Sequence, residues 1–316
     1  MNVLVVGAGA VGQVYARHMA LGGADVSFFV KPKYAAEAAA GYDMYPLNLG
    51  RNTPAVRFEG FGVVSDYARV GDTAWDQIWI CTSSTALRAG WLPDLVAQMG
   101  DALLVSMAPG PEDHQYLLDH GVDEARLVQG LITLISYQAP LAGESRSTPG
   151  VAYWMPPLAP NAFDGPRAAE AAAALTAGKC PAKVDPGAVA QSRFGSAVLM
   201  PHLVALEAAD WKLAGLRECG RLQLATDASR EAMDIVAAHL GVPAPASRMV
   251  VKPAMMWLLL TAAPHVVPLP LEVYLKYHFT KVGDQTRAVM ETYKRLAAEH
   301  DLPVTHLTEL TALLGE

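Results

Sequence analysis

The 316-residue chain is short of cysteine, of charge and, in its first half, of bases. Its three cysteines, Cys81, Cys180 and Cys219, are odd in number and far apart, which fits neither a disulfide framework nor a zinc cluster. Buried thiols in a reducing compartment are expected instead. Charged residues make up only 17% of the chain against 52% hydrophobic, a balance that excludes intrinsic disorder. Lys and Arg number 24 against 31 Asp and Glu, and residues 1–165 hold 9 of those bases against 16 acids. No basic stripe stands ready to neutralise phosphates, so nucleic acid is not expected as a partner. Long apolar runs are missing too: the best candidate, around residues 254–260, is flanked by Pro253, Pro264, Pro268 and Pro270. It falls short of the roughly 20 residues a spanning helix needs. The N-terminus lacks a basic n-region and a small-residue cleavage site, so a protein without membrane segment or signal peptide, cytoplasmic in location, is expected.

What is present is an alternation of short Val/Ile/Leu runs with helical stretches. Residues 2–6, 25–30, 77–81, 102–107 and 126–132 read as strands, the first followed by a helix over 12–21. Near-continuous apolar runs mark strands covered on both faces, and strand–helix–strand repetition predicts a doubly wound parallel α/β sheet of Rossmann type. Stretches 56–64 and 137–154 look antiparallel and are expected to close the edge of that sheet. A proline-rich break at 155–166 then gives way to helices, expected at 168–177, 189–209, 216–240, 249–262, 280–299 and 306–314. The division expected is an α/β domain over 1–163 and an all-helical domain over 164–316.

Gly7-Ala8-Gly9-Ala10-Val11-Gly12 is a G-x-G-x-x-G sequence that directly follows a strand and opens a helix. In that setting the first glycine permits the tight turn and the second lets backbone approach a pyrophosphate. The third allows close helix–strand packing, and the helix N-terminus offers its free N–H groups to the anion. The nucleotide is decided after the second strand, where an acid would accept a ribose 2′-hydroxyl. Here Lys31 and Lys33 stand, with no acid until Glu37, so a 2′-phosphate and hence NADP(H) is expected.

With its VVGAGAVGQVYARHMA opening, its sheet pattern through Gly150, its helical second half, the run KVGDQTR at 281–287 and the turn at Asp301-Leu302-Pro303, the chain resembles the ketopantoate reductase (2-dehydropantoate 2-reductase) family. The resemblance implies a Rossmann domain, a helical domain like the C-terminal one of 6-phosphogluconate dehydrogenases, NADPH, and hydride transfer to a 2-oxo acid. It also sets Arg193 where the family has its catalytic lysine and Ala197 where it has an asparagine. Ser83 and Ser84 follow the fourth strand where a lysine is frequent. Ala108-Pro109-Gly110 replaces a Q-N-G beside the nicotinamide, and Gln285, next to Asp284, takes the place of an acid. A homodimer is expected from the family and from the strongly apolar helical half.

These departures bear on chemistry. Arg193 is suited to grip a carboxylate or polarise a carbonyl oxygen, but a guanidinium gives up no proton at ordinary pH. His278, Lys281 and Gln285 recur at three- and four-residue spacing, so one helical face could present Lys281 or His278 as a replacement acid. His202, on an apolar run, reads as a core histidine. No His/Asp/Glu/Cys group has ligand spacing, so no metal is expected, and no Ser/His/Asp nucleophile arrangement appears. The expected function is NADPH-dependent reduction of a small carbonyl substrate, a 2-oxo acid or related ketone. The alternatives are an imine- or opine-type reductase and a protein that holds NADP without turnover.

Overall fold

The apolar runs become neighbouring strands in a computed structural model, which describes residues 1–314 apart from 109, 111, 219 and 282, and apart from the side chains of 284 and 285. Two compact units divide after Val189. The strands of the first are β1 (Asn2–Val6), β2 (Asp25–Phe29), β3 (Tyr42–Pro46), β4 (Val56–Phe58), β5 (Gly62–Val64), β6 (Gln77–Ile80), β7 (Leu103–Ser106), β8 (Leu127–Leu131), β9 (Ile135–Ala139), β10 (Gly150–Trp154), β11 (Asn161–Asp164) and β12 (Ala182–Val184). Its helices are α1 (Ala10–Leu21), α2 (Ala35–Ala39), α3 (Ser84–Leu87), α4 (Leu92–Val96), α5 (Asp113–Asp119) and α6 (Ala168–Ala177).

Among the described residues the main sheet has eight strands in the order β12-β11-β8-β7-β6-β1-β2-β5. Its central pairs are parallel, as expected, while β11 runs antiparallel to β8 and carries β12 beside it in parallel. Strand β1 explains the continuous apolar reading: Val3 and Val5 enter one core, Leu4 and Val6 the other, and all four are nearly or wholly buried. Sequence order reverses between β1 and β6, so the crevice at their C-terminal ends is the place where such sheets bind ligands.

The two stretches expected to close the sheet edge do something different. Strands β4, β3, β10 and β9 form a second sheet in that order, in which β10 pairs in parallel with β3 and antiparallel with β9. Only β5 joins the main sheet, at its edge. The second sheet lies on α1, so the helix is enclosed, and polar side chains fix it. Tyr15 Oη donates to Asn161 Oδ1 at 2.6 Å, Arg17 Nη1 to Tyr153 Oη at 3.0 Å, and His18 Nδ1 to the Gly178 carbonyl at 2.7 Å. These partners also explain the domain boundary. It moves from the expected 163 to 189, because β12 pairs with β11 and α6 packs on α1 in the first unit.

The second unit consists of α7 (Ala188–Glu207), α8 (Leu213–Leu216), α9 (Arg221–Leu240), α10 (Pro253–Val266), α11 (Leu271–Lys281), α12 (Gly283–Glu299) and α13 (Thr305–Ala312). The core joins Leu203, Leu206, Ala225, Ala232, Ile235, Tyr293, Leu296, Leu307 and Leu310. Residues 271–279, not expected as helix, form α11 directly after Pro270, whose carbonyl accepts the Tyr274 N–H at 2.9 Å. No single helix among the described residues is long and apolar enough to cross a membrane.

Candidate functional site

The glycine turn works as its spacing requires. Gly7 has φ +103°, and a Cβ there would fall 2.9 Å from the Cys81 carbonyl oxygen. Gly12 is closer still, since a Cβ would sit 2.0 Å from the Gly7 carbonyl oxygen. At Gly9 a Cβ would meet nothing within 4 Å; its hydrogen leaves open the surface over the start of α1. That helix has no side-chain N-cap and no acid in its first turn, so its leading N–H groups and positive dipole end remain available to an anion. Gln13 Nε2 donates to the Ala8 carbonyl at 2.8 Å and stiffens the turn. Ala10 and Val11 form the first helical turn and pack against the core.

Over the turn lies a cavity of about 340 Å³ bounded by Gly7, Ala8, Gly9, Phe29, Lys31, Tyr34, Glu37, Tyr42, Tyr67, Thr82 and Trp91, with Val6, Val30, Ala86 and Ala89 completing the wall. Its volume suits part of a dinucleotide. The aromatic rings are a feature the sequence reading missed: four separate segments deliver them, so no local spacing announces them. Phe29 and Tyr67 lie with ring centroids 4.4 Å apart and their planes tilted by 32°, an aromatic wall suited to a base. Thr82 Oγ1 is buried without a hydrogen-bond partner, a polar atom left for a ligand at the end of β6.

Lys31 lies on the cavity wall, whereas Lys33 does not and rests its Nζ 4.7 Å over the Tyr34 ring. The other surprise is Glu37. Expected to lie beyond the site, its residue lines the same cavity as Lys31, because the turn after β2 is a short 3₁₀ segment leading straight into α2. Burial, and after it the Glu37 charge, pushes the Tyr42 phenol up to about 12.

Ser83 and Ser84 are not on the cavity wall. Ser83 caps α3, accepting the Ala86 N–H at 3.2 Å, and Ser84 Oγ donates to Asp113 Oδ2 at 2.7 Å. The same carboxylate oxygen accepts the Gly110 N–H at 2.8 Å, and Arg88 completes the cluster as an ion pair. Asp113, 1% exposed, thus ties the segment after β6 to the segment after β7. Pro109 lies outside the described residues.

On the second unit, Arg193 is half-buried on α7 and pairs with no acid among the described residues. Ala197 is fully buried in the helical core, so that position packs. Lys281 and His278 sit three residues apart on α11; Gln285 belongs to α12, with its side chain outside the described residues. The His278 ring stacks on Tyr274 at 5.5 Å, and burial, then the Lys281 charge, holds its pKa below the ordinary value. His202 is indeed a core residue: Nδ1 bonds the Val198 carbonyl at 2.7 Å, and burial lowers its pKa.

Residues 3–53 match the family model described as ketopantoate reductase PanE/ApbA. No curated protein sequence matches the chain. Among solved structures, the ternary structure of D-mandelate dehydrogenase with NADH and anilino(oxo)acetate is similar with a TM-score of 0.71, at 12% identity, over 99% of this chain and 97% of that one. A PanE/ApbA family ketopantoate reductase from Ralstonia eutropha JMP134 gives 0.66 at 17% identity over 99% and 97%. The 2-dehydropantoate 2-reductase from Methylococcus capsulatus gives 0.64 at 20% identity over 99% and 96%. The chain therefore resembles the ketopantoate reductase family by sequence in its first strands and by fold along its length: a Rossmann-like domain followed by a helical one.

Proposed function

We propose that the protein is a nicotinamide-dependent oxidoreductase that uses NADPH to reduce a small 2-oxo acid or related ketone. The observation that carries this reading is the glycine turn with open space at Gly9, set under a cavity at the C-terminal ends of β1, β2 and β6. Likeness along the chain to D-mandelate dehydrogenase and to ketopantoate reductases supports the substrate class.

The reduced nicotinamide supplies a hydride to the substrate's carbonyl carbon. The start of α1 and the Gly7–Gly9 turn hold the pyrophosphate, and the aromatic wall receives the base. Lys31 pairs with a 2′-phosphate; Glu37, on the same wall, gives NADH its own claim as the alternative cofactor. Arg193 grips the substrate carboxylate with its forked donors. Of the two candidate acids, His278 is the weaker, because burial holds its pKa below the ordinary value; the Lys281 amine on the same helix offers three donors. Lys281 therefore delivers the proton to the carbonyl oxygen as it becomes an alcohol. Burial of Ala197 in the core favours a second reading, in which the protein holds the cofactor without turnover.

The protein is further proposed to be a cytoplasmic homodimer. No residue of α10 is buried, and Met255, Trp257, Leu258 and Leu259 are each 43–55% exposed, an apolar face suited to a second copy.

The test is steady-state oxidation of NADPH and NADH against a panel of 2-oxo acids, ketones and imines that includes ketopantoate. Turnover of a 2-oxo acid that falls at least about a hundredfold in Arg193→Ala and Lys281→Ala is expected for groups that bind substrate and transfer its proton. Tight cofactor binding with no panel member accelerating oxidation would replace this reading with the binding protein.

A further inference from the structure

We propose that His239, Glu299 and His300 form a binding site for a divalent transition-metal ion at the C-terminal ends of two helices. One ligand atom from each of the three lies within 4.8 Å of the others. Their sequence spacing hides this, because His239 belongs to the last turn of α9 whereas Glu299 ends α12 and His300 follows it.

Both helix ends are held by defined turns. α9 stops at Gly241 with φ +65°, its N–H returning to the Ala237 and Ala238 carbonyls. After α12, the N–H groups of His300 and Leu302 both return to the Ala297 carbonyl, at 3.1 and 2.9 Å, with Asp301 at φ +52° between them. The donors therefore project from fixed backbone. Two helix C-termini also bring the negative ends of their dipoles to one spot, which favours a cation.

The donor set selects the ion. Two imidazole nitrogens and one carboxylate suit zinc, nickel or cobalt and are a poor match for magnesium or calcium, which prefer oxygen. Metal–ligand bonds of about 2.0–2.2 Å require the donors to draw closer than they stand. All three side chains are exposed and the His239 and His300 rings lie 6.3 Å apart, so side-chain rotation alone closes the gap. Arg295 Nη1 donates to Glu299 Oε1 at 2.7 Å; this exposed pair is weak in water and leaves the second carboxylate oxygen to the metal. Three protein ligands leave at least one coordination position for water.

Bound there, the ion pins the end of α9 to the turn after α12 and raises the melting temperature of the second unit by binding only the folded chain. The site shares no residue with the cofactor cavity, so neither conclusion depends on the other.

The test is calorimetric titration of the full chain with Ni²⁺ and with Zn²⁺, its accessible thiols alkylated beforehand to exclude cysteine. Saturable uptake of one ion per chain in the micromolar range is expected. His239→Ala and His300→Ala should each weaken it at least about tenfold and remove the metal-dependent rise in melting temperature, while Glu299→Gln weakens it less. Absence of saturable uptake below about 1 mM, or unchanged affinity in the double histidine variant, would overturn the proposal.

Discussion

Ser84 Oγ donates to Asp113 Oδ2 at 2.7 Å, and through this contact the segment after β6 is tied to the segment after β7. The same carboxylate holds the Gly110 N–H and Arg88. Asp113→Ala leaves all three donors without their acceptor and should cost about 2–3 kcal/mol. That is below the full cost of breaking a buried pair, because the Arg88 side chain is a third exposed. Urea unfolding measures the loss, and cofactor titration of the same variant should show weaker binding.

Two glycines of one motif should answer differently to the same methyl group. Gly12→Ala drives a Cβ to 2.0 Å from a backbone oxygen and should destabilise the first unit by about 2–3 kcal/mol. Gly9→Ala places its methyl in open space, so stability should stay within about 0.5 kcal/mol. Cofactor affinity should nevertheless drop, since the pyrophosphate needs that space. Thermal melts with and without NADPH separate the two outcomes.

Lys31 and Glu37 stand on one cavity wall with opposite demands. Lys31→Ala should weaken NADPH by about tenfold while leaving NADH nearly unchanged, as expected for loss of one phosphate contact. Glu37→Gln should weaken NADH and spare NADPH. Fluorescence titration with both cofactors gives the ratio, and equal effects on both would remove Lys31 from the selection.

Stability should fall as the solution is acidified below pH 7. Burial lowers the pKa of His18, His202 and His278 from the ordinary 6.5. Below that value the unfolded chain takes up protons that the folded chain refuses, so unfolding is favoured progressively as pH drops. Melting temperatures between pH 7.5 and 5.5 should decline, and His202→Gln should flatten the slope.

The exposed face of α10 predicts the assembly state. Leu258→Asp, at a residue 55% exposed, should leave the fold intact and shift the protein from dimer to monomer in light scattering at micromolar concentration. A wild-type monomer would refute the dimer outright.

What the sequence made legible was whatever rests on local pattern. Strands β1, β2, β6, β7 and β8 were readable because burial on both faces demands continuous apolar runs, and the glycine turn because its steric needs are met within six residues. The second sheet was not, since its register joins Met44 to Val151 and no local spacing encodes a pairing over that distance. Asp113 carried no local signal, because two partners of its carboxylate, Ser84 and Arg88, come from another segment, although the residue is 1% exposed. Glu37 was discounted by counting residues from the strand end, which took no account of the chain turning back on the cavity.

The pairing of β3 with β10 and of β11 with β12 has a consequence for how the protein is made. During synthesis β1, α1 and β2 leave the ribosome well before the residues that lock α1 in place, Tyr153, Asn161 and Gly178. The glycine turn is therefore assembled from an early part of its unit but held by the latest part of it. A ribosome stalled before residue 184 displays an unfinished sheet with an open edge, and chaperone capture should concentrate in that interval.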